Sequence, residues 1–133
     1  MILQGNHRIA VAGTDDVWFS ANVSQALKNI APKSFTVLLS HSPDIREDLK
    51  PNHQVDLTLC GHTHGGQIAL PYLSHYYLPI KRPARYMAGL VQEPYGMTYV
   101  NRGIGTLVFP FRINASPEIT VLTLKNGSSP NIV

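Results

Sequence analysis

The stretch Val55-Asp56-Leu57-Thr58-Leu59-Cys60-Gly61-His62-Thr63-His64-Gly65-Gly66 decides how this chain is read. Val55 to Cys60 is rich in apolar and β-branched residues, as in a strand buried within a sheet, and it stops at a glycine. Gly61, Gly65 and Gly66 let the following backbone turn sharply and bring main chain close to an ion or a phosphate. Two histidines one residue apart in such a turn can aim two ring nitrogens at neighbouring positions, and neutral imidazole is a common ligand for Zn, Fe and Mn. Taken alone, the segment reads better as a hairpin turn carrying two solvated histidines.

The context one β-α-β spacing upstream reverses that preference. Phe35-Thr36-Val37-Leu38-Leu39 is a second apolar, β-branched run, and it ends at Ser40-His41-Ser42-Pro43-Asp44. In open α/β sheets ligands bind just beyond the carboxyl ends of strands, so two successive strands ending in histidine predict one shared site. His41, His62 and His64 are therefore expected to converge there.

Farther out, Arg8 to Ala12 reads as a short strand stopping at Gly13-Thr14-Asp15-Asp16. Val23, Leu27 and Ile30 recur at helical spacing, with Ser20 or Asn22 as the amino-terminal cap and Pro32 beyond the end. Ile45 to Lys50 suits a helical turn or two. Gln67 to Leu70 is expected to be a short strand, and Pro71 to Gly96 a long ordered loop bordering a site. Met97 to Asn101 and Ile119 to Leu124 read as strands, joined by a connection punctuated by Gly103, Gly105, Pro110 and Pro117. The organisation expected is one domain over residues 1–126 and a flexible tail at 127–133.

The bulk properties agree with a folded domain. The 133 residues suffice to bury a core, and 44% are hydrophobic, which excludes general disorder. A single cysteine, Cys60, excludes an internal disulfide and suits a reducing, cytoplasmic location, with membrane association left open for a longer chain. No apolar run approaches the roughly 18 residues of a membrane span, and the first residues lack the regions of a secretory signal. Eleven basic against eight acidic residues give a net charge of +3, which suits an anionic substrate but lacks the clustered basic footprint of a specific nucleic-acid binder.

Leu38-Leu39-Ser40-His41-Ser42-Pro43-Asp44, followed by Asp56 to Gln67, resembles the carboxy-terminal motif pair of the calcineurin-like metallophosphoesterases, in their bacterial YkuE-type branch. Ala12 to Asp16, Val100-Asn101-Arg102-Gly103-Ile104-Gly105 and Pro117 to Leu124 extend the resemblance over nearly the whole chain. It implies an α/β fold: part of a four-layer α/β/β/α sandwich, here mainly a mixed β-sheet with one or two helices. It also implies metal-dependent hydrolysis of a phosphoester substrate, with two divalent ions (Mn, Zn or Fe) about 4 Å apart activating a water that attacks phosphorus. Carried over by motif, His41 and His62 bind one metal and His64 the other.

Only the carboxy-terminal half of the family pattern is present. The family's Asp-x-His and metal-bridging Gly-Asp are absent, and its Gly-Asn-His is imitated by Gly5-Asn6-His7. There Asn6 would be a ligand and His7 would serve the leaving group, but Arg8 replaces the expected acid and no strand precedes the motif, so it reads as a coincidence. Asp15 and Asp16 are the candidate replacement ligands, against a solvated turn or helix cap. Arg102 is the candidate substrate-binding residue through its planar fork, against a surface salt bridge. His53 reads as solvated, His75 as packed under a loop beside tyrosines, and Cys60 as a buried structural thiol. Lys81, Arg82 and Arg85 read as a wet basic face.

Two partner arrangements follow: a missing amino-terminal half that completes the site, or a homodimer that covers the apolar face of a halved sandwich. The alternative to an enzyme is a catalytically incomplete fragment acting as a metal-binding or interaction module.

Overall fold

In the computed structural model, which describes residues 2–4, 7–71 and 74–125, six strands form one mixed sheet. The strands are β1 (Ile2–Gln4), β2 (His7–Gly13), β3 (Phe35–Leu39), β4 (Leu57–Cys60), β5 (Gly89–Glu93) and β6 (Gly96–Val100). Their order across the sheet is β1-β2-β3-β4-β6-β5. The four inner strands β2, β3, β4 and β6 run parallel, and β1 and β5 pair antiparallel at the two edges. Three short helices accompany them: α1 (Val23–Leu27), α2 (Ser74–Tyr77) and α3 (Pro83–Tyr86), with a 3-10 segment at Pro43–Asp48.

Alternation along each strand sorts side chains onto two faces. The register aligns Ala12 with Leu38 and Cys60 with Val100, so these four share a face, where Val23 of α1, Ile45 of the 3-10 segment, Tyr86 of α3 and the loop residue Ile80 pack on them. Leu38, Ile45 and Val100 are fully buried. α1 starts where Asn22 accepts a hydrogen bond from Gln25 N at 2.9 Å, which selects Asn22 over Ser20 as the cap. Across the core, the nearly buried Arg46 and Glu93 side chains approach at 3.9 Å, and Tyr86 Oη donates to Glu93 at 2.7 Å.

The other face is poorly covered. In the row Gly13, Leu39, Leu59, Tyr99, Leu90, the residues Leu39 and Leu90 are each 43% exposed, as is Val11 one row away. Tyr99 Oη meets Thr120 Oγ1 at 2.8 Å and Glu118 Oε1 at 3.1 Å, so the segment around 118–120 crosses part of this face.

Four expectations are corrected. Pro71 to Gly96 is not one long loop: it contains α2, α3 and β5. The helices have four residues each, too short to display a period, and β5 is an edge strand whose exposed Leu90 breaks the usual apolar-in pattern. Gln67 to Leu70 is not a strand but makes the single bridge Ile68 to Ile113, because Gln67 adopts a backbone with φ 47° and ψ −53° that no strand accepts. Ile119 to Leu124 forms no strand either: β5 occupies the position beside β6, and Ile119 and Val121 stand 84% and 88% exposed. β1 at Ile2–Gln4 was not expected, and it overturns the expectation that no strand precedes Gly5-Asn6-His7. Strands β2, β3, β4 and β6, α1 and the turn after Pro43 fall where the sequence placed them, and the tail at 127–133 lies outside the described residues.

Two outcomes test this packing. Burial pushes the Cys60 thiol up to about 12, against a smaller opposing pull from Arg46. At pH 8 it should hold about a thousandfold less thiolate than a free cysteine, so iodoacetamide should label it only after denaturation. Gly65 has φ +63°, and a Cβ there would stand 2.7 Å from Arg102 Cγ. Gly65→Ala should therefore lose about 1–3 kcal/mol in urea unfolding, and an unchanged midpoint would contradict this placement of the loop.

Candidate metal centre

Because β2, β3, β4 and β6 are parallel, their carboxyl ends lie side by side, and backbone hydrogen bonds continue the ladder past those ends. Thr14 N donates to Leu39 O, Ser40 N to Leu59 O, Gly61 N to His41 O and Asn101 N to Cys60 O, at 2.8–3.1 Å. The loops after all four strands are thereby held at one edge.

Within that edge His41 and His62 are in direct contact. His41 Nε2 stands 2.9 Å from His62 Nδ1, and the rings meet edge to face with centroids 4.7 Å apart. His62 Nε2 faces the carbonyl of Pro79 at 3.4 Å. A carbonyl can only accept, so a neutral His62 carries its proton on Nε2 and presents the Nδ1 lone pair to His41. Burial is the main cause holding the His62 pKa below its ordinary 6.5, outweighing the Pro79 carbonyl, and the neighbouring His41 charge adds to the lowering. The ring is thus held in the neutral form that ligates metals. Trp18 packs edge-on against it at 5.2 Å.

His64 is turned another way. Its Nδ1 donates to Gly105 O at 3.2 Å, which leaves Nε2 as the lone-pair atom. Among the described residues no contact joins it to the His41–His62 pair, and no group of three or more His, Cys, Asp or Glu side chains is arranged to hold a metal ion. Asp16 comes nearest: its Oδ2 is 3.9 Å from His41 Nε2, while Oδ1 accepts Trp18 N at 2.9 Å and so caps a turn. Asp15 is exposed.

The loop that carries the two later histidines is strained. His62, His64 and Gln67 all have positive φ (70°, 51° and 47°), a region that side chains other than glycine rarely occupy. Buried Thr63 pins it, donating from Oγ1 to Met87 O at 2.7 Å and accepting Gly65 N at 3.2 Å. Gln67 adds a clamp: its amide nitrogen donates to the carbonyls of Leu107, Phe109 and Phe111, and its oxygen accepts Leu107 N.

The other candidates sort as follows. Arg102 is ion-paired with Glu118 at 3.1 Å and its stem packs over Gly65. Arg82 pairs with Glu47 and Arg85 with Glu93, each at 3.0 Å, so these two cations are partly neutralised. His53 is not merely solvated: its ring joins Ser24 Oγ to Lys50 N, tying α1 to the 3-10 turn at Pro51–His53. Cys60, buried and protonated, is a structural thiol. Asn6 and the side chains of His7 and His75 lie outside the described residues. Sequence reasoning missed Arg112, whose guanidinium gathers five carbonyls around the His64 loop, because an isolated arginine in a loop has no pattern to mark it.

Imidazole nitrogen is a donor type that divalent metals take. Two imidazole nitrogens face each other, and two of the three rings anchor the opposite nitrogen on a carbonyl, as ligating histidines commonly do. No bridging carboxylate accompanies them among the described residues.

Comparison with known proteins supplies the family. The chain is 40% identical over 129 residues to an uncharacterised metallophosphoesterase, YkuE, of Bacillus subtilis, covering 93% of this chain and 43% of that protein. It is 34% identical to the phosphodiesterase YaeI of Escherichia coli, covering 93% of this chain and 44% of that one. To a bovine transmembrane protein with a metallophosphoesterase domain it is 33% identical, covering 91% of this chain and 30% of that one. In this chain no described helix is long and apolar enough to cross a membrane. No family model and no solved structure matches the chain. It spans less than half the length of these relatives, a coverage that fits a carboxy-terminal half. Over nearly its whole length the chain is thus a relative of proteins named metallophosphoesterases, YkuE among them.

Proposed function

We propose that this chain supplies His41, His62 and His64 to a two-metal centre that hydrolyses a phosphoester. The observation that carries the reading is the 2.9 Å approach of His41 Nε2 to His62 Nδ1, two potential lone-pair atoms facing each other at the carboxyl ends of adjacent parallel strands. His41 and His62 hold one divalent ion (Mn, Zn or Fe) and His64 holds the second. When bound, such ions stabilise charge on the phosphoryl oxygens and activate the attacking water.

The protein's part is orientation. Pro79 O fixes the tautomer of His62, Gly105 O fixes that of His64, and Trp18 packs in a T-shaped contact against the His62 ring. The bridging acid and remaining ligands come from an amino-terminal part of a longer protein, or from a second chain. Arg102 has a lesser place in this reading, because its Glu118 partner already occupies the guanidinium.

His62→Ala should weaken metal binding by at least roughly tenfold to a hundredfold, the range observed when even a supporting partner of a metal ligand is lost. Measured with Mn and bis(p-nitrophenyl) phosphate, it should abolish turnover by the full-length protein. Equal turnover by the wild type and His62→Ala would overturn the assignment.

One observation favours a second reading, in which the chain acts as a metal-binding or interaction module: the sheet face carrying Val11, Leu39 and Leu90 is half exposed. A second copy, or the missing half of the domain, would bury that face. Sedimentation of the isolated chain should show a dimer that dissociates on dilution; a monomer persisting at high concentration would exclude self-pairing.

A further inference from the structure

Arg112 makes more backbone contacts than any other side chain near the candidate centre. Its Nη1 donates to His64 O at 2.9 Å and to Ala115 O at 3.0 Å. Its Nη2 donates to Arg102 O at 2.8 Å and to Gly103 O at 3.1 Å, and both Nε and Nη2 donate to Gly105 O. Five carbonyls from three separate stretches of chain thus converge on one guanidinium. Two of them belong to the histidine loop and to the acceptor of its ring.

The geometry has a direct chemical meaning. Gly105 O is the atom that receives the proton of His64 Nδ1, and the same oxygen is gripped by Arg112. Arg112 also holds the carbonyl of His64 itself, where φ is 51° and the backbone gains nothing from regular pairing. Five carbonyl dipoles pointed at one spot repel one another, and a planar cation with five N–H groups is the side chain able to offset that. Among the described residues Arg112 has no carboxylate partner, so its charge is not diverted to an ion pair.

We infer that Arg112 is a positioning residue for His64: by fixing Gly105 O and the His64 backbone together, it locks the imidazole with its proton on Nδ1 and directs Nε2 toward the metal. The inference rests on the reading of His64 as a ligand, and the experiment separates the two. Arg112 touches neither metal nor substrate in this role; it acts through the tautomer and orientation of the ring.

The test compares the wild type with Arg112→Ala, Arg112→Lys and His64→Ala. The first readout needs no metal: long-range nitrogen–proton NMR of the neutral imidazoles reports which nitrogen of His64 is protonated. The wild type should show the Nδ1–H form alone, and Arg112→Ala a mixture of both tautomers, restored toward the wild type by added guanidinium ion. Arg112→Lys keeps the charge but cannot span five carbonyls, so it should show the same mixture, and it serves if the alanine variant does not fold. The second readout is Co(II) binding followed by visible absorption, where Arg112→Ala and Arg112→Lys should lose about tenfold to a hundredfold in affinity at the His64 site. A pure Nδ1–H tautomer with wild-type Co(II) affinity in a folded Arg112 variant would overturn the inference. If His64→Ala binds Co(II) as the wild type does, the ligand reading itself fails, and the inference with it.

Discussion

The constraint on which everything else depends is the common direction of β2, β3, β4 and β6. Parallel strands place their carboxyl ends at one edge of the sheet, and this is what lets residues distant in sequence meet. His41 and His62 are twenty-one positions apart, yet the pairing of β3 with β4 delivers their rings to within hydrogen-bond distance. Had either strand run the other way, the two histidines would lie at opposite ends of the sheet.

Alignment of strand ends sets the location of the site, but not the aim of its side chains. That is settled by an unusual concentration of backbone strain between His62 and Gln67, held in place by contacts that each use a side chain against main chain. Thr63 holds the loop to Met87 O, Gln67 holds the 107–111 segment to the loop, and Arg112 collects the carbonyls between them. None of these residues is a metal-ligand type in its own right, yet together they determine where the imidazole nitrogens point. A strained loop of this kind persists only when its surroundings over-determine it, and here side-chain hydrogen bonds to main chain do so.

The two faces of the sheet tell different stories. One is closed by α1, the 3-10 segment and α3 over Leu38 and Val100, and forms the core. The other leaves Val11, Leu39 and Leu90 half exposed, with only the segment around Thr120 lying across it. That asymmetry fits a chain spanning less than half the length of its relatives.

The buried strands β3 and β4, a helix cap at Ser20 or Asn22 and the strand-end histidines were all legible in the sequence, because each is written in local signals: β-branched runs, a capping residue, glycines after a strand. The motif pair around His41 and His62 carried the family as well. Other features were decided only by tertiary structure. Ile119 to Leu124 has the residues of a strand, but pairing depends on a free sheet edge, and β5 takes the place beside β6. β5 itself was hidden, since an edge strand with an exposed leucine shows no clean alternation. Arg112 was invisible for a related reason: its role lies in carbonyls contributed by residues 64, 102, 103, 105 and 115, and a single arginine in a loop says nothing about which oxygens will surround it. Local chemistry can be read from a sequence, whereas the meeting of distant backbone groups exists only once the chain has folded.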